Sequence, residues 1–239
     1  AALKDHPNHV RASVGLALTM AWQGREQQAL DYLTSFLKAQ PGAAEAWLLR
    51  GEILARASRY SEAEVAFAKA SSELGRALTL PQQISALTGL ADAQVARGAN
   101  DMARATLERM RRLAGDTAQA RLIAARLALI AQDYAGAVAE LQPVVTAMPN
   151  FGQARFLLGA ALLAQGNHEQ AESHLSALVQ MTPENVEARK LLAKVRLRLQ
   201  RYDAAMQVLT PAMQDDSFDP ELSSLLSEAK LQTGAQGEA

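Results

Sequence analysis

The chain lacks cysteine, a marked excess of charge of either sign, and any long apolar run. Because cysteine is absent, disulfides and thiolate metal sites are excluded, whereas the cytoplasm and the periplasm both remain open as compartments. Lysine and arginine total 24 against 25 aspartate and glutamate, so global charge does not direct the chain to nucleic acid or to an anionic membrane. No apolar run reaches the roughly 18 residues that a membrane span requires.

The sequence motifs of common enzymes are also missing. The chain has no GxSxG, no glycine-rich phosphate loop and no HExxH. Of its four histidines, His6 and His9 lie near the start, while His168 and His174 are six residues apart and point to different faces of a helix. We therefore expect no enzymatic activity, no cofactor and no metal site.

What the sequence does contain is a repeat. Alanine recurs with gaps of 34, 40, 34, 34, 34 and 34 residues, at Ala29, Ala63, Ala103, Ala137, Ala171, Ala205 and Ala239. A second small residue stands twelve positions before each of these, at Ala17, Gly51, Ala91, Ala125, Gly159, Ala193 and Ser227. Two small residues in fixed register allow two helix backbones to pack closely, so the period predicts an array of helix pairs.

The residues around these anchors identify a family. With each unit numbered from 1 to 34, position 24 is apolar throughout, at Leu33, Phe67, Leu107, Leu141, Leu175 and Leu209. The stretch PGAAEAWLLRGEILARASRYSEAEVAFAKA, residues 41–70, resembles the tetratricopeptide repeat almost position for position. The signature positions of that family are occupied here by Trp47, Gly51, Tyr60, Ala63, Phe67 and Ala70.

The resemblance implies an all-α fold, a right-handed superhelical solenoid of antiparallel helix pairs with thirteen helices. We expect six units, at 10–43, 44–83, 84–117, 118–151, 152–185 and 186–219. Residues 1–9 are read as the remnant of a preceding repeat. Residues 220–239 are read as the first helix, at roughly Glu221–Thr233, and the turn, at Gly234, of a truncated seventh repeat. Because the repeat is incomplete at both ends, we expect the chain to be an excised piece of a longer array that self-associates through its truncated ends. The alternative is a degenerate native terminus.

The sequence also predicts where the repeat is interrupted. Turns between the two helices of a unit are expected at Gly24, Ser58, Gly98, Gln132, Gly166 and Gln200. The second unit carries six extra residues, which we expect to continue its second helix to about Leu80, with Pro81 starting the next helix. This insertion is either a binding feature or only a joint. Pro143 and Pro211 are expected to kink the helices that contain them.

Function is expected on the inner, concave wall, which in this family is formed by the first helix of each unit. The resemblance implies exposed positions 2, 5, 9, 12 and 13, and a protein or peptide partner bound along the groove. The candidate partner-binding residues are Arg11, Leu18, Trp22, Glu52, Arg56, Asp92, Arg126, Phe156, Lys190, Lys194 and Arg198. Trp22 and Phe156 are the expected aromatic anchors of an apolar helix or an extended segment.

A stripe of three cations, Lys190, Lys194 and Arg198, gives an alternative. Residues four apart share one helix face, so the stripe would hold an acidic peptide or an anionic polysaccharide. The competing interpretation is a solvated face neutralised by Asp215, Asp216 and Asp219. A third possibility is that the array is only a structural spacer. The carboxylate clamp of chaperone-binding members is not expected, because Val14 and Leu18 occupy its positions in the first unit.

The amino-acid sequence of the fifth and sixth repeats is similar to that of large bacterial tetratricopeptide proteins of exopolysaccharide and protein-sorting systems, especially the PEP-CTERM-associated type. The similar strings are ARFLLGAALLAQGNHEQAESHL and NVEARKLLAKVRLRLQRYDAAMQVL. This resemblance implies a bacterial scaffold, with a periplasmic or outer-membrane-associated location favoured over the cytoplasm.

Overall fold

The computed structural model describes residues 9–214 and 219–237, and within them the chain is all α-helical, with thirteen α-helices and no strand. The chain divides into two compact units, residues 1–123 and 124–239. The first holds α1 (Val10–Trp22), α2 (Glu26–Ala39), α3 (Ala44–Arg56), α4 (Tyr60–Ala70), α5 (Leu80–Ala96) and α6 (Asn100–Ala114). Helix α7 (Ala118–Ile130) spans the division, and the second unit holds α8 (Tyr134–Ala147), α9 (Gly152–Ala164), α10 (His168–Met181), α11 (Val186–Arg198), α12 (Tyr202–Leu209) and α13 (Pro220–Gly237).

Small residues set the distance between these helices. The repeated alanines of the second helices are fully buried from Ala29 to Ala205, and the apolar side chains at position 24 are buried as well. In two repeats the partner of position 24 is a glycine: Phe67 lies against Gly51, and Leu175 lies against Gly159. A methyl group on Gly159 would stand 2.5 Å from Cγ of Leu175, so the two helices are closer than any larger residue permits.

In each of the two compact units, the odd-numbered helices form one layer. In the first unit α1 contacts α3 and α3 contacts α5, and in the second α9 contacts α11 and α11 contacts α13. The even-numbered helices α2 and α4 of the first unit, and α10 and α12 of the second, contact both of their chain neighbours. This is the arrangement of antiparallel helix pairs that the repeat predicts, and it places the first helices of successive repeats side by side.

The predicted turns are confirmed. All six turn residues adopt a positive φ, including three that are not glycine: Ser58 at 57°, Gln132 at 58° and Gln200 at 57°. A side chain in the left-handed region costs roughly 1–2 kcal/mol per residue, so these three turns are held by the packing of the helices on either side.

The predicted course of the insertion was wrong. Helix α4 ends at Ala70 rather than continuing to Leu80, and residues Glu73–Ala77 form a short 3₁₀ helix. The Ser72 hydroxyl donates to the carbonyl of Lys69 at 2.7 Å, which offers the backbone an alternative to the next helical turn. A Cβ on Gly75 would lie 2.7 Å from the Ala70 carbonyl oxygen, so this sharp return needs glycine. Pro81 does lie in the first turn of α5, as predicted.

The structure also bears on the turn expected at Gly234 and on the two prolines expected inside helices. Helix α13 continues through Gly234 to Gly237, because glycine permits a left-handed turn but does not impose one. At Pro211 the α-helix stops at Leu209 and tightens into a 3₁₀ segment, Thr210–Gln214, whereas Pro143 lies inside a continuing α8. A proline ring removes a backbone donor and crowds the preceding turn, and a change of helix type accommodates both effects. None of the described helices has the continuous apolar length of a membrane span.

Candidate functional site

The inner faces of α1, α3, α5 and the start of α7 enclose two adjoining clefts in the first unit, of about 580 and 290 Å³. Glu52, Pro81 and Ser85 line both clefts, so the two form one surface, which we call the first-unit groove. Its other lining residues are Val14, Leu18, Glu45, Leu48, Leu49, Ala55, Phe67, Leu80, Gln82, Ile84, Thr88, Gly89, Asp92 and Gln119.

Helical spacing explains why these side chains meet. Positions 5 and 9 of each 34-residue repeat are four residues apart and therefore share one helix face. In α1 they are Val14 and Leu18, and in α3 they are Leu48 and Glu52, all of which line the groove. Of the predicted partner-binding residues, the structure brings together Leu18, Glu52 and Asp92 here.

Sequence reasoning missed the contribution of the insertion. Because the insertion lets α5 begin at Leu80, this helix has 17 residues, whereas α3 has 13. The additional turn places Leu80, Pro81 and Gln82 in the wall of the groove. The available signal was the string TLPQ, in which a Thr–Gln capping box precedes the first apolar turn of the helix, with Gln82 Oε1 accepting from the Thr79 amide at 2.9 Å.

The charged side chains that line the groove are all acidic. Glu45, Glu52 and Asp92 line it, and no lysine, arginine or histidine is among the lining residues of these two clefts. Although the Glu52 side chain is exposed, the groove walls displace water from around it, and this desolvation raises the pKa of its carboxyl group. The charge of Arg56 acts in the opposite direction and lowers that pKa.

A separate cleft of about 480 Å³ lies in the second unit. Two of the predicted cations, Lys194 and Arg198, line it together with His168, Glu228 and a set of apolar side chains. The apolar members are Leu163, Ala164, Leu197 and Leu225. Basic side chains over an apolar floor therefore occur here, in contrast to the acidic groove of the first unit.

The third cation of the predicted stripe is not available to a ligand. Lys190 is only 7% exposed, and its ammonium group lies 2.6 Å from Glu187, 2.9 Å from Glu221 and 3.1 Å from Asp219. The hydrogen bond to Glu187 raises the pKa of Lys190 most, those to Glu221 and Asp219 add to the rise, and desolvation opposes it. Lys194 in turn lies 2.5 Å from Glu221.

These carboxylates belong mainly to the start of α13. The backbone amide of Leu222 and then the ammonium group of Lys190 lower the pKa of Asp219, and Lys194 followed by Lys190 lowers that of Glu221. Of the predicted neutralising aspartates, Asp219 acts as expected, while Asp215 and Asp216 lie outside the described residues. The stripe is thus largely an internal ion network that joins α11 to α13.

The neighbouring arginines of this repeat are also engaged within the protein. Arg189 donates to the carbonyl oxygens of Pro183 at 2.6 Å and Val208 at 2.8 Å. Arg196 and Arg201 both pair with Glu172. Because long basic side chains bond the ends of adjacent helices here, a cationic helix in the sequence does not produce a free cationic surface.

The remaining predicted residues lie apart from these clefts. Trp22 is 73% exposed at the end of α1, and Phe156 is half-buried on α9, but neither lines the first-unit groove or the second-unit cleft. Arg11 and Arg56 are exposed on α1 and α3. Arg126 lies on α7 and takes part in an interaction within the protein.

Comparison with known proteins agrees with this architecture. Models of the tetratricopeptide repeat match residues 23–75, 128–181 and 162–229. A search of curated proteins finds no matching sequence. Both models describe the tetratricopeptide repeat, and neither is a model of a catalytic family.

Solved structures share the fold at low sequence identity. A chain of the APC/C hetero-tetramer Cut9–Hcn1 is similar with a TM-score of 0.82 and 15% identity over 95% of this chain, which spans 44% of that one. A tetratricopeptide repeat protein from Parabacteroides merdae has a TM-score of 0.73 and 15% identity, covering 96% of this chain and 89% of its own. YrrB, a tetratricopeptide protein with an unusual peptide-binding site, has a TM-score of 0.57 and 19% identity, with coverage of 78% and 93%. Given the family models, the buried small residues and the paired helices, the chain belongs to the tetratricopeptide-repeat family.

Proposed function

We propose that the chain is a non-enzymatic interaction scaffold that binds a peptide or a segment of a partner protein in the first-unit groove. The observation that carries this proposal is the continuity of the groove: side chains from α1, α3, α5 and α7 line adjoining clefts that share Glu52, Pro81 and Ser85. Apolar walls with a few convergent polar groups are typical of a recognition site. An elongated surface of this kind suits a peptide segment laid across several helices.

The charges of the second unit support a peptide over an anionic polysaccharide. A polymer-binding stripe requires several free cations on one face, whereas Lys190 and Lys194 are already paired with the carboxylates of Glu187, Asp219 and Glu221. Arg198 is exposed and lines the second-unit cleft. A single arginine gives a polymer little of the multivalent attraction that holds it.

A location in a bacterial envelope, within an exopolysaccharide or protein-sorting system, is part of the same proposal. It rests on the resemblance of residues 154–175 and 185–209 to proteins of those systems. Fractionation of cells that express the complete natural protein tests it, with recovery in the envelope fraction expected and recovery only in the cytoplasm counting against it.

The binding proposal is tested with one substitution at two places. Ser85 is exposed and lines both clefts of the groove, so Ser85→Trp fills the groove; Ser35 is exposed on α2, and Ser35→Trp is the matched control. Peptides selected on the chain from a phage-displayed random library should lose binding to Ser85→Trp and keep it to Ser35→Trp. Equal binding to both variants would contradict binding in the groove, and circular dichroism of the two variants checks that both are folded.

A further inference from the structure

The first-unit groove holds two carboxylates, those of Glu45 and Glu52, that form no direct hydrogen bond or ion pair in the described part of the chain. The charge of Arg56, four residues along α3, acts on Glu52 without forming a direct ion pair with it. Asp92 also lines the groove but takes part in an interaction within the protein, so we base the charge of the groove on the two glutamates. In the second unit, by contrast, Glu187 and Glu221 both form ion pairs with Lys190.

The surroundings of Glu52 favour the binding of a cationic group to its carboxylate. Glu52 lines both clefts and lies at the place where they join, among Leu48, Ala55 and Pro81. The groove walls remove part of its water, and a bound ammonium or guanidinium group would replace that lost hydration with a charge-assisted hydrogen bond. Such bonds strengthen where water is partly excluded.

The spacing of the two glutamates limits the ligand further. Glu45 and Glu52 are seven residues apart on α3, which places them two turns apart on one face, with an axial separation of about 10 Å. In an extended peptide about 10 Å corresponds to three residues. The cleft that both carboxylates line is mainly apolar, with Val14, Leu18 and Leu48 in its walls.

We propose that the first-unit groove recognises a cationic, partly apolar peptide segment. A lysine or arginine of this segment contacts Glu52, and a second basic residue about three positions away reaches Glu45. Apolar residues between them pack on Val14, Leu18 and Leu48. This rests on the proposed function, since it names the ligand class of the same groove. Acidic segments are excluded by like-charge repulsion, and neutral segments gain only the apolar contacts.

The experiment uses peptides selected from a phage-displayed random twelve-residue library on the complete chain at low salt. The selected peptides should carry lysine or arginine next to apolar residues. Binding of the synthetic peptides, measured by fluorescence anisotropy, should weaken about tenfold with Glu52→Gln, because hydrogen bonds to charged groups are the stronger class. Glu169→Gln removes the same charge from an exposed position on α10, outside the groove, and should leave binding unchanged. Added salt should weaken binding to the unmodified chain more than to Glu52→Gln.

The outcomes separate this inference from the proposed function. Selection of neutral or acidic peptides that lose binding to Ser85→Trp, or equal binding to Glu52→Gln and the unmodified chain, overturns the charge preference and leaves the groove as the binding site. Peptides that bind Ser85→Trp as well as the unmodified chain overturn the proposed function itself. A library that yields no binding peptide counts against both.

Discussion

The ring of Phe67 provides a sharp test of how the helices of the first unit are packed. The ring is 2% exposed and lies between two glycines, Gly51 on α3 and Gly89 on α5. A Cβ built on Gly51 would be 2.7 Å from two ring carbons, and one built on Gly89 would be 2.4 Å from the nearest ring carbon. Since a glycine lies on each of two sides of the ring, a methyl group added at one glycine pushes the ring toward the other, and the ring can relieve the contact only by moving into the groove that it lines.

We expect Gly51→Ala to destabilise the first unit. Replacing glycine by alanine inside a helix normally stabilises it by up to about 1 kcal/mol. Overpacking a core costs about 1–3 kcal/mol, so after the gain in helix propensity the net loss in free energy of unfolding should be up to about 2 kcal/mol. Gly15 is the matched control: it lies within α1, and a Cβ there would have no neighbour within 4 Å. Gly15→Ala should therefore stabilise by about 0.5–1 kcal/mol.

Urea denaturation followed by circular dichroism measures both changes. A smaller side chain at the contact should rescue the overpacked variant, so Phe67→Leu should cost less in the background of Gly51→Ala than in the unmodified chain. The reasoning would be refuted if Gly51→Ala stabilised the protein as Gly15→Ala does, because the helices would then have space that the structure denies. The result matters for function because Phe67 and Gly89 line the first-unit groove.

Three further results are expected. Folding lowers the pKa of Asp219 and Glu221 below their ordinary values of 3.8 and 4.5, so the stability that these carboxylates contribute is present above those values and is lost as pH falls through the folded-state pKa. Thermal melts at falling pH should therefore show a smaller loss of stability in Lys190→Met than in the unmodified chain. An equal loss in both would count against the ion network. Gln132→Gly should stabilise by about 0.5–1 kcal/mol in urea titrations by relieving a left-handed φ of 58°, and a destabilised variant would contradict the predicted strain. Ala171→Leu, at a fully buried position, should cost about 1–3 kcal/mol by the same measurement, whereas a neutral effect would show that the helices separate easily.

The sequence by itself determined the features that repeat. The spacing of Ala29, Ala63 and their successors predicted paired helices, and residues with these spacings are buried at the predicted contacts. The turn positions were also predictable, since each follows a helix of fixed length. The helix pairs and their turns depend on contacts between residues a few helical turns apart, and the same residues recur in every repeat. The 34-residue period therefore reveals these features without a structure.

Only the tertiary structure decided which charges are free. Lys190 pairs with Asp219, which is 29 positions away, and spacing along one helix cannot show that another helix brings a carboxylate to it. The same limit applies to the insertion, which occurs once and has no second copy to reveal its geometry. Its serines end α4, and its last residues extend α5 into the groove wall beside Glu52. Long, flexible charged side chains and single insertions take their positions from neighbours distant in sequence, and those neighbours are set by the packing of the folded chain.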